Sequence, residues 1–186
     1  MLDSARKELN LTSDESLEVY FQDEGIFGRM SNPVPCWAPQ KIRPQLPSQR
    51  IRQYSYVYAA LCPDTGDLCS LIMPYSNMDC MQIFLDEFAR QRAGKPTLII
   101  MDQAAWHKSS SLLKYPNILI KFQPPYSPEL NPVEHLWKHM RTVLTHNWFW
   151  QSLEQLEDRL CEVLLQLSEN PKTIQSFSLF DWMVCV

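Results

Sequence analysis

The sequence lacks several features that mark common classes of protein. It contains no run of about 18 uncharged apolar residues, the minimum length for a transmembrane helix. None of the 6 cysteines stands in a Cys-x-x-Cys pair, and all lie in otherwise apolar segments, so neither a zinc site nor a disulfide framework is indicated. The polar, acidic N-terminal residues do not resemble a signal peptide, and no internal repeat is present. We therefore expect a cytosolic protein with reduced thiols and no membrane association.

The distribution of acidic residues is uneven, although the net charge is only -4. No Asp or Glu occurs between Gly25 and Pro63, or between Gln103 and Pro128. These two ranges instead carry basic side chains: Arg29, Lys41, Arg43, Arg50 and Arg52, then His107, Lys108, Lys114 and Lys121. A basic middle with acidic flanks is typical of a phosphate-facing surface, and chance clustering on a solvated face explains it equally well.

Length, periodicity and turn residues predict one α/β domain within the 186 residues. Residues 31–48 contain five prolines and are predicted to be irregular, and residues 63–67 are predicted to form a hairpin turn. Strands are predicted at 17–23, 54–61, 68–73, 97–101 and 118–122, and helices from Asn77 or Asp79 to Ala93 and over 109–114, 131–145 and 153–167. This order predicts a mixed five-stranded sheet flanked by helices.

Asp23 is the first of three carboxylates in unusual positions. It shares a strand face with the apolar residues Leu17, Val19 and Phe21, because side chains alternate along a strand. Burying a carboxylate there costs several kcal/mol unless a partner or a metal ion compensates. The alternative is that the strand has already ended and that Asp23 lies in a turn with Gly25.

Asp102 and Glu134 are the other two. Asp102 directly follows the apolar strand 97–101, and ligands of open α/β sheets gather just beyond such strand ends, although Asp102 also suits a cap of the next element. Glu134 fits a capping box in which its carboxylate reaches back to the Asn131 amide, but it also borders the apolar stripe of its helix. Brought together, three carboxylates would show raised pKa values or bind Mg²⁺ or Mn²⁺, and a pair of such ions supports phosphodiester chemistry.

Four segments of the chain carry a resemblance to a known family: 21–24 (FQDE), 36–39 (CWAP), 100–109 (IMDQAAWHKS) and 124–137 (PPYSPELNPVEHLW). They resemble the catalytic domain of DDE transposases, most closely the bacterial insertion-sequence branch of the mariner superfamily. The resemblance implies an RNase H-like catalytic domain over residues 17–150. Residues 1–16 are then a short N-terminal extension, and residues 151–186 a helical segment packed on the domain.

The resemblance also implies a mechanism and a set of partners. Asp23, Asp102 and Glu134 would carry the metal ions, and metal-activated water would cleave DNA at the transposon end. The freed 3′-hydroxyl would then attack target DNA. A homodimer on DNA in the nucleoid-associated cytoplasm is the family-level expectation. Our candidate DNA contacts are His107, where the family has a His, and the basic residues Lys108, Arg50 and Arg52.

The sequence departs from the family in two ways. Gln103 stands where the family usually has Asn, and we assign it no catalytic role. Only about 16 residues precede the first predicted strand, too few for the family's helix-turn-helix recognition region. We therefore expect either a catalytic chain that works with a separate recognition subunit, or a remnant that only binds DNA or a partner. A structure-selective nuclease without strand transfer is a further alternative.

Overall fold

A central sheet of five strands organises the computed structural model, which describes residues 1–12, 14–31, 33–45, 48–103, 115–144, 147–180 and 183. The strands are β1 (Glu18–Met30), β2 (Arg50–Leu61), β3 (Leu68–Met73), β4 (Thr97–Met101) and β5 (Ile118–Phe122). Their order across the sheet is β3-β2-β1-β4-β5. The β1–β2 and β2–β3 pairs are antiparallel, whereas β1–β4 and β4–β5 are parallel. The predicted mixed five-stranded sheet is confirmed.

Helices cover both faces of this sheet: α1 (Leu2–Glu8), α2 (Met78–Arg92), α3 (Val133–Leu144), α4 (Leu153–Ser168) and α5 (Pro171–Ser178). As predicted, Asn77 caps α2, because its side chain accepts a hydrogen bond from the Cys80 amide at 2.9 Å. The short helices α1 and α5 and a 3-10 turn at Pro128–Leu130 were not predicted. A helix of two turns is too short to show a clear apolar period.

Alternation along the strands sorts side chains into two layers. Tyr20 and Tyr58 face the side covered by α2 and pack with its aromatic residues. Phe21 and Val57 face the opposite side, where α1, α3, α4 and α5 contribute buried residues to a second cluster. The functional consequence is that Asp23, which has the parity of Phe21, lies on the α3 side of the sheet.

The first strand is longer than predicted, because it continues past Asp23 to Met30. Its second half pairs antiparallel with β2 as far as the Met30–Arg50 pair. Gly25 and Gly28 interrupt the alternation of apolar residues that indicates a strand in the sequence. This half of β1 is a strand because its backbone pairs with β2. The alternative in which Asp23 lies in a turn is therefore wrong.

The predicted connections agree with the described residues. Residues 33–45 and 48–49 form neither helix nor strand, and residues 62–67 join β2 to β3. Gly66 has a φ of +72°, and a Cβ atom there would stand 2.2 Å from the Pro171 carbonyl oxygen. The predicted helix at 109–114 lies outside the described residues.

Two expectations from composition concern the thiols and the membrane. Free thiols are present at 36, 62, 69, 80 and 161, and Cys185 lies outside the described residues. Within the part of the chain that the structure describes, no helix combines the length and the apolar character needed to span a bilayer.

Candidate active site

The register of two parallel strands aligns Asp23 with Asp102. The β1–β4 ladder ends at the pair Phe21–Ile100, and the two aspartates each follow two residues later. They therefore share one face of the sheet, at the carboxyl ends of its parallel strands. This edge is where α/β sheets bind ligands.

Asp23 is held inside the sheet. Its backbone pairs with Ala59 of β2, and its Oδ2 accepts a hydrogen bond from the Trp137 indole N–H at 3.0 Å. Burial raises the pKa of Asp23 to about 7, and the nearby carboxylates of Glu24 and Glu134 add to the increase. The hydrogen bonds from Trp137 and from the Glu24 backbone oppose this shift without cancelling it.

Glu134 enters the site from the first turn of α3. The predicted capping box is wrong in both of its bonds, because the Asn131 amide donates to the Pro128 carbonyl at 2.9 Å and the Glu134 amide donates to the Asn131 backbone carbonyl at 3.1 Å. The 3-10 turn thus takes the donor that the box would have offered to the Glu134 carboxylate. The Asn131 side chain still caps the helix, since its Oδ1 accepts from the Val133 amide at 3.1 Å.

The three carboxylates line one open cleft of about 460 Å³. The structure thus brings together the acids that the sequence predicted to meet. The cleft is completed by amides, prolines and hydroxyl side chains: Gln103, Gln123, Pro124, Pro125, Tyr126, Ser127, Pro128 and Asn131. Among the described residues, however, no three His, Cys, Asp or Glu side chains stand close enough to form a metal-binding group. The acids share a cleft without converging on a point.

Sequence reasoning missed two other side chains of this cleft as functional candidates. Gln123 is 8% exposed, and its Oε1 is buried without a hydrogen-bond partner among the residues that the structure describes. Its backbone is fixed, because its amide donates to the Met101 carbonyl and its carbonyl accepts from the Gln103 side chain, both at 2.9 Å. Tyr126 is fully exposed and has a φ of +58°, which is rare for a residue with a side chain. The sequence feature that could have identified Gln123 is its position directly after the apolar strand β5.

Of the four candidate DNA contacts, the two that the structure describes lie outside the cleft lining. Arg50 and Arg52 are exposed at the start of β2. Arg50 pairs with Met30, seven residues along β1 from Asp23, which is roughly 23 Å for an extended strand. The structure therefore does not bring these two arginines to the acids. His107 and Lys108 lie outside the described residues.

Several other side chains have structural roles in the described part of the chain. Glu24 lies on the opposite strand face from Asp23 and accepts a hydrogen bond from the Gln22 side chain at 2.9 Å. The His135 ring nitrogen Nδ1 lies 2.6 Å from the Phe177 carbonyl oxygen. Trp137 and Trp150 are buried, as expected of core residues.

Comparisons with known proteins identify the family of this chain. The family model described as DDE superfamily endonuclease matches residues 18–157. An uncharacterized protein of Sinorhizobium fredii, y4pE/y4sA, is 35% identical over 130 residues, which are 69% of this chain and 96% of that protein. The 39 kDa protein of insertion element IS630 from Shigella sonnei, also uncharacterized, is 32% identical over 87 residues, 45% of this chain and 25% of that protein.

A solved structure shows the same fold. The crystal structure of the Mos1 mariner paired end complex with Mn superposes with a TM-score of 0.64 at 15% identity, covering 94% of this chain and 56% of that one. This chain thus spans about half of the Mos1 chain. The similarity confirms the predicted RNase H-like fold. Because the family match extends over residues 18–157, well over half of the chain, the protein belongs to the DDE superfamily endonucleases, as the resemblance predicted.

Proposed function

We propose that this domain cleaves DNA at transposon ends and joins the freed 3′-hydroxyl to target DNA. The observation that carries the proposal is the cleft at the carboxyl edge of the sheet. Three separate chain segments each contribute one carboxylate to it, Asp23 from β1, Asp102 after β4 and Glu134 from α3. Membership of an endonuclease family and similarity to an insertion-element protein support the same chemistry.

The donor set fits a hard divalent cation. Carboxylate oxygens are ligands that Mg²⁺ and Mn²⁺ prefer. Burial, with a smaller contribution from the Glu24 and Glu134 carboxylates, raises the pKa of Asp23, and a bound cation would favour its charged form. Asp23, Asp102 and Glu134 would hold such ions, with two ions expected. When bound, two such ions activate the attacking oxygen and stabilise the leaving oxygen of a phosphodiester.

The protein holds the cleft carboxylates in position and partly buries them. The Trp137 indole fixes one oxygen of Asp23, and the Asn131 cap fixes the turn that presents Glu134. The proposed chemistry requires no protein nucleophile. Cleavage and joining use the same cleft in succession. Both steps need the scissile phosphate held beside the three acids.

DNA would continue from the cleft along the acid-free part of the chain. Arg50 and Arg52 are exposed, and the roughly 23 Å from Arg50 to Asp23 along the strand is less than one turn of duplex DNA, about 34–36 Å. We propose these two arginines as phosphate contacts outside the cleft, and His107 and Lys108 as further DNA contacts. A homodimer on DNA, a separate helix-turn-helix recognition subunit and a cytoplasmic, nucleoid-associated location complete the proposal on the strength of the family resemblance.

Calorimetric titration with Mn²⁺ tests the site before any DNA is added. Glu134→Gln removes one cleft carboxylate, and Glu129→Gln makes the same change five residues away, at an exposed position outside the cleft lining. We expect Mn²⁺ affinity to fall about tenfold or more in Glu134→Gln and to stay unchanged in Glu129→Gln. Equal affinity in the three proteins, with and without duplex DNA, would refute the three-carboxylate site.

The same titration decides the alternative of an inactive remnant. That alternative is favoured by one observation: no metal-binding group of three side chains is assembled among the described residues. A remnant would bind DNA without a specific Mn²⁺ site. Where Mn²⁺ does bind, an assay with labelled transposon-end DNA separates transposase from nuclease, because only a transposase gives joined products.

A further inference from the structure

We infer that Asn131 is a positioning residue that sets Glu134 against Asp23. The inference rests on the proposed function of these two carboxylates. It assigns to Asn131 a role in metal affinity in addition to its role as a helix cap.

The hydrogen bonds of Asn131 join three parts of the chain. Its backbone amide donates to the Pro128 carbonyl at 2.9 Å, and its carbonyl accepts from the Glu134 amide at 3.1 Å. Its Oδ1 accepts from the Val133 amide at 3.1 Å, and its Nδ2 donates to the Gln22 carbonyl at 3.2 Å. The residue therefore ties the 3-10 turn, the start of α3 and strand β1 together.

The Nδ2 bond is the one that concerns catalysis. The Gln22 carbonyl directly precedes Asp23, so this bond connects the backbone beside one carboxylate to the turn that carries another. Asn131 is 3% exposed, so water has little access to replace the bond if it is lost. The Trp137–Asp23 bond forms a second link between the same two elements. Two links fix the orientation of α3 on β1 better than either link alone.

Only a carboxamide serves both purposes at this position. A cap needs an acceptor, which Asn, Asp and Ser all provide. The link to β1 needs a donor as well, on a side chain that reaches from the helix start to the strand, and Ser is too short to hold both bonds at once. Replacement of Asn131 by Ser therefore separates the cap from the link.

The test compares two asparagines that make the same kind of bond. Asn117 Nδ2 donates to the Lys95 carbonyl at 3.0 Å, at the amino ends of β4 and β5, away from the cleft. We would measure Mn²⁺ affinity, thermal unfolding without metal and hydrogen exchange of residues 131–137 for the wild type, Asn131→Ser and Asn117→Ser. Asn131→Ala, which lacks both cap and link, completes the series.

We expect Asn131→Ser to keep a cooperative unfolding transition and to lose about tenfold to a hundredfold in Mn²⁺ affinity. Exchange in the first turn of α3 should accelerate, whereas Asn117→Ser should match the wild type in both measurements. Asn131→Ala should bind Mn²⁺ no better than Asn131→Ser and should unfold at a lower temperature, because it also lacks the cap.

The outcomes separate this inference from the proposed function. Wild-type Mn²⁺ affinity in folded Asn131→Ser would overturn the positioning role while leaving the three-carboxylate site intact. Failure of the wild type itself to bind Mn²⁺ would overturn the proposed function, and the exchange measurement would then decide whether Asn131 fixes α3 on β1. Unchanged exchange in Asn131→Ser would overturn that structural role too.

Discussion

The indole of Trp137 donates a hydrogen bond to Asp23 Oδ2 at 3.0 Å, and its ring lies across Gly25 of the same strand. A Cβ atom at position 25 would stand 2.9 Å from the ring, so only glycine leaves room for this approach. Helix α3 therefore sits close enough to β1 for a core residue to reach a carboxylate of the cleft. Packing and chemistry are coupled at this contact.

Asp23→Asn should stabilise the metal-free protein at neutral pH. Burial raises the pKa of Asp23 to about 7, whereas an unfolded chain has a value of about 4. The folded state thus binds the proton more tightly, and its stability decreases as pH rises from about 4 to about 7. We expect the free energy of unfolding of the variant to exceed that of the wild type by about 1–3 kcal/mol at pH 8 and to equal it near pH 4.

Urea unfolding in the presence of a chelator, at pH 4, 6 and 8, measures this difference. Glu129→Gln serves as the control, because it also removes one negative charge but from an exposed position. A pH profile of Asp23→Asn parallel to that of the wild type would show that Asp23 ionises normally in the folded protein.

Trp137→Phe should raise the pKa of Asp23 still further, because the indole hydrogen bond favours the charged carboxylate. It should also cost about 1–3 kcal/mol in unfolding free energy, since Trp137 is buried and loses both volume and a bond. Trp150→Phe is the matched control, a buried tryptophan of the same core cluster. Carbon-13 NMR titration of the Asp23 carboxyl measures this pKa, and its midpoint should move to higher pH only in Trp137→Phe. Equal shifts of the midpoint in both variants would contradict the direct hydrogen bond.

Gln123→Leu should make the protein more stable. Within the described part of the chain, the buried Oε1 atom of Gln123 has no hydrogen-bond partner, and an apolar side chain of similar size removes the cost of burying it. The backbone bonds to Met101 and Gln103 do not involve the side chain and should persist. We expect a gain of about 1 kcal/mol in urea unfolding. A loss of stability would mean that the carboxamide finds a partner in solution.

Tyr126 should contribute to DNA binding and contribute little to stability. Its side chain is fully exposed at the rim of the cleft, on a turn enclosed by prolines. Exposed aromatic rings stack on unpaired bases with about 1–3 kcal/mol each. In fluorescence anisotropy with a labelled single strand and chelator, Tyr126→Ala should therefore bind about tenfold more weakly, and Tyr126→Phe should bind like the wild type. Equal affinity of Tyr126→Ala and the wild type would exclude stacking.

The sequence predicted those parts of the fold whose signal is local. The apolar run before Asp102 marks β4, Asn77 marks the start of α2, and the motif around Glu134 marks the start of α3. The second half of β1 carries no such signal, because its two glycines leave its structure to be decided by pairing with β2. Where a segment becomes a strand by pairing with a neighbour, its own sequence does not predict the strand.

The same division holds for the site. The positions of Asp23, Asp102 and Glu134 in their motifs predicted a shared cleft, and the register of β1 and β4 provides it. The contact between Trp137 and Asp23 depends on how α3 is placed along β1, which is a property of tertiary packing. Likewise, the helix motif alone predicted a capping box. The preceding 3-10 turn instead pairs the Asn131 amide with the Pro128 carbonyl, so this amide does not bond to the Glu134 carboxylate.

The early end of the β1–β4 ladder has an electrostatic consequence. If pairing continued past Phe21 and Ile100, Asp23 and Asp102 would become cross-strand neighbours about 5 Å apart. Like charges in such a pair oppose strand association. Asp23 and Asp102 instead lie just beyond the last paired residues of the two strands, and both line the cleft. Because the ladder ends before the two aspartates, both carboxylates reach the cleft without forming a like-charged cross-strand pair.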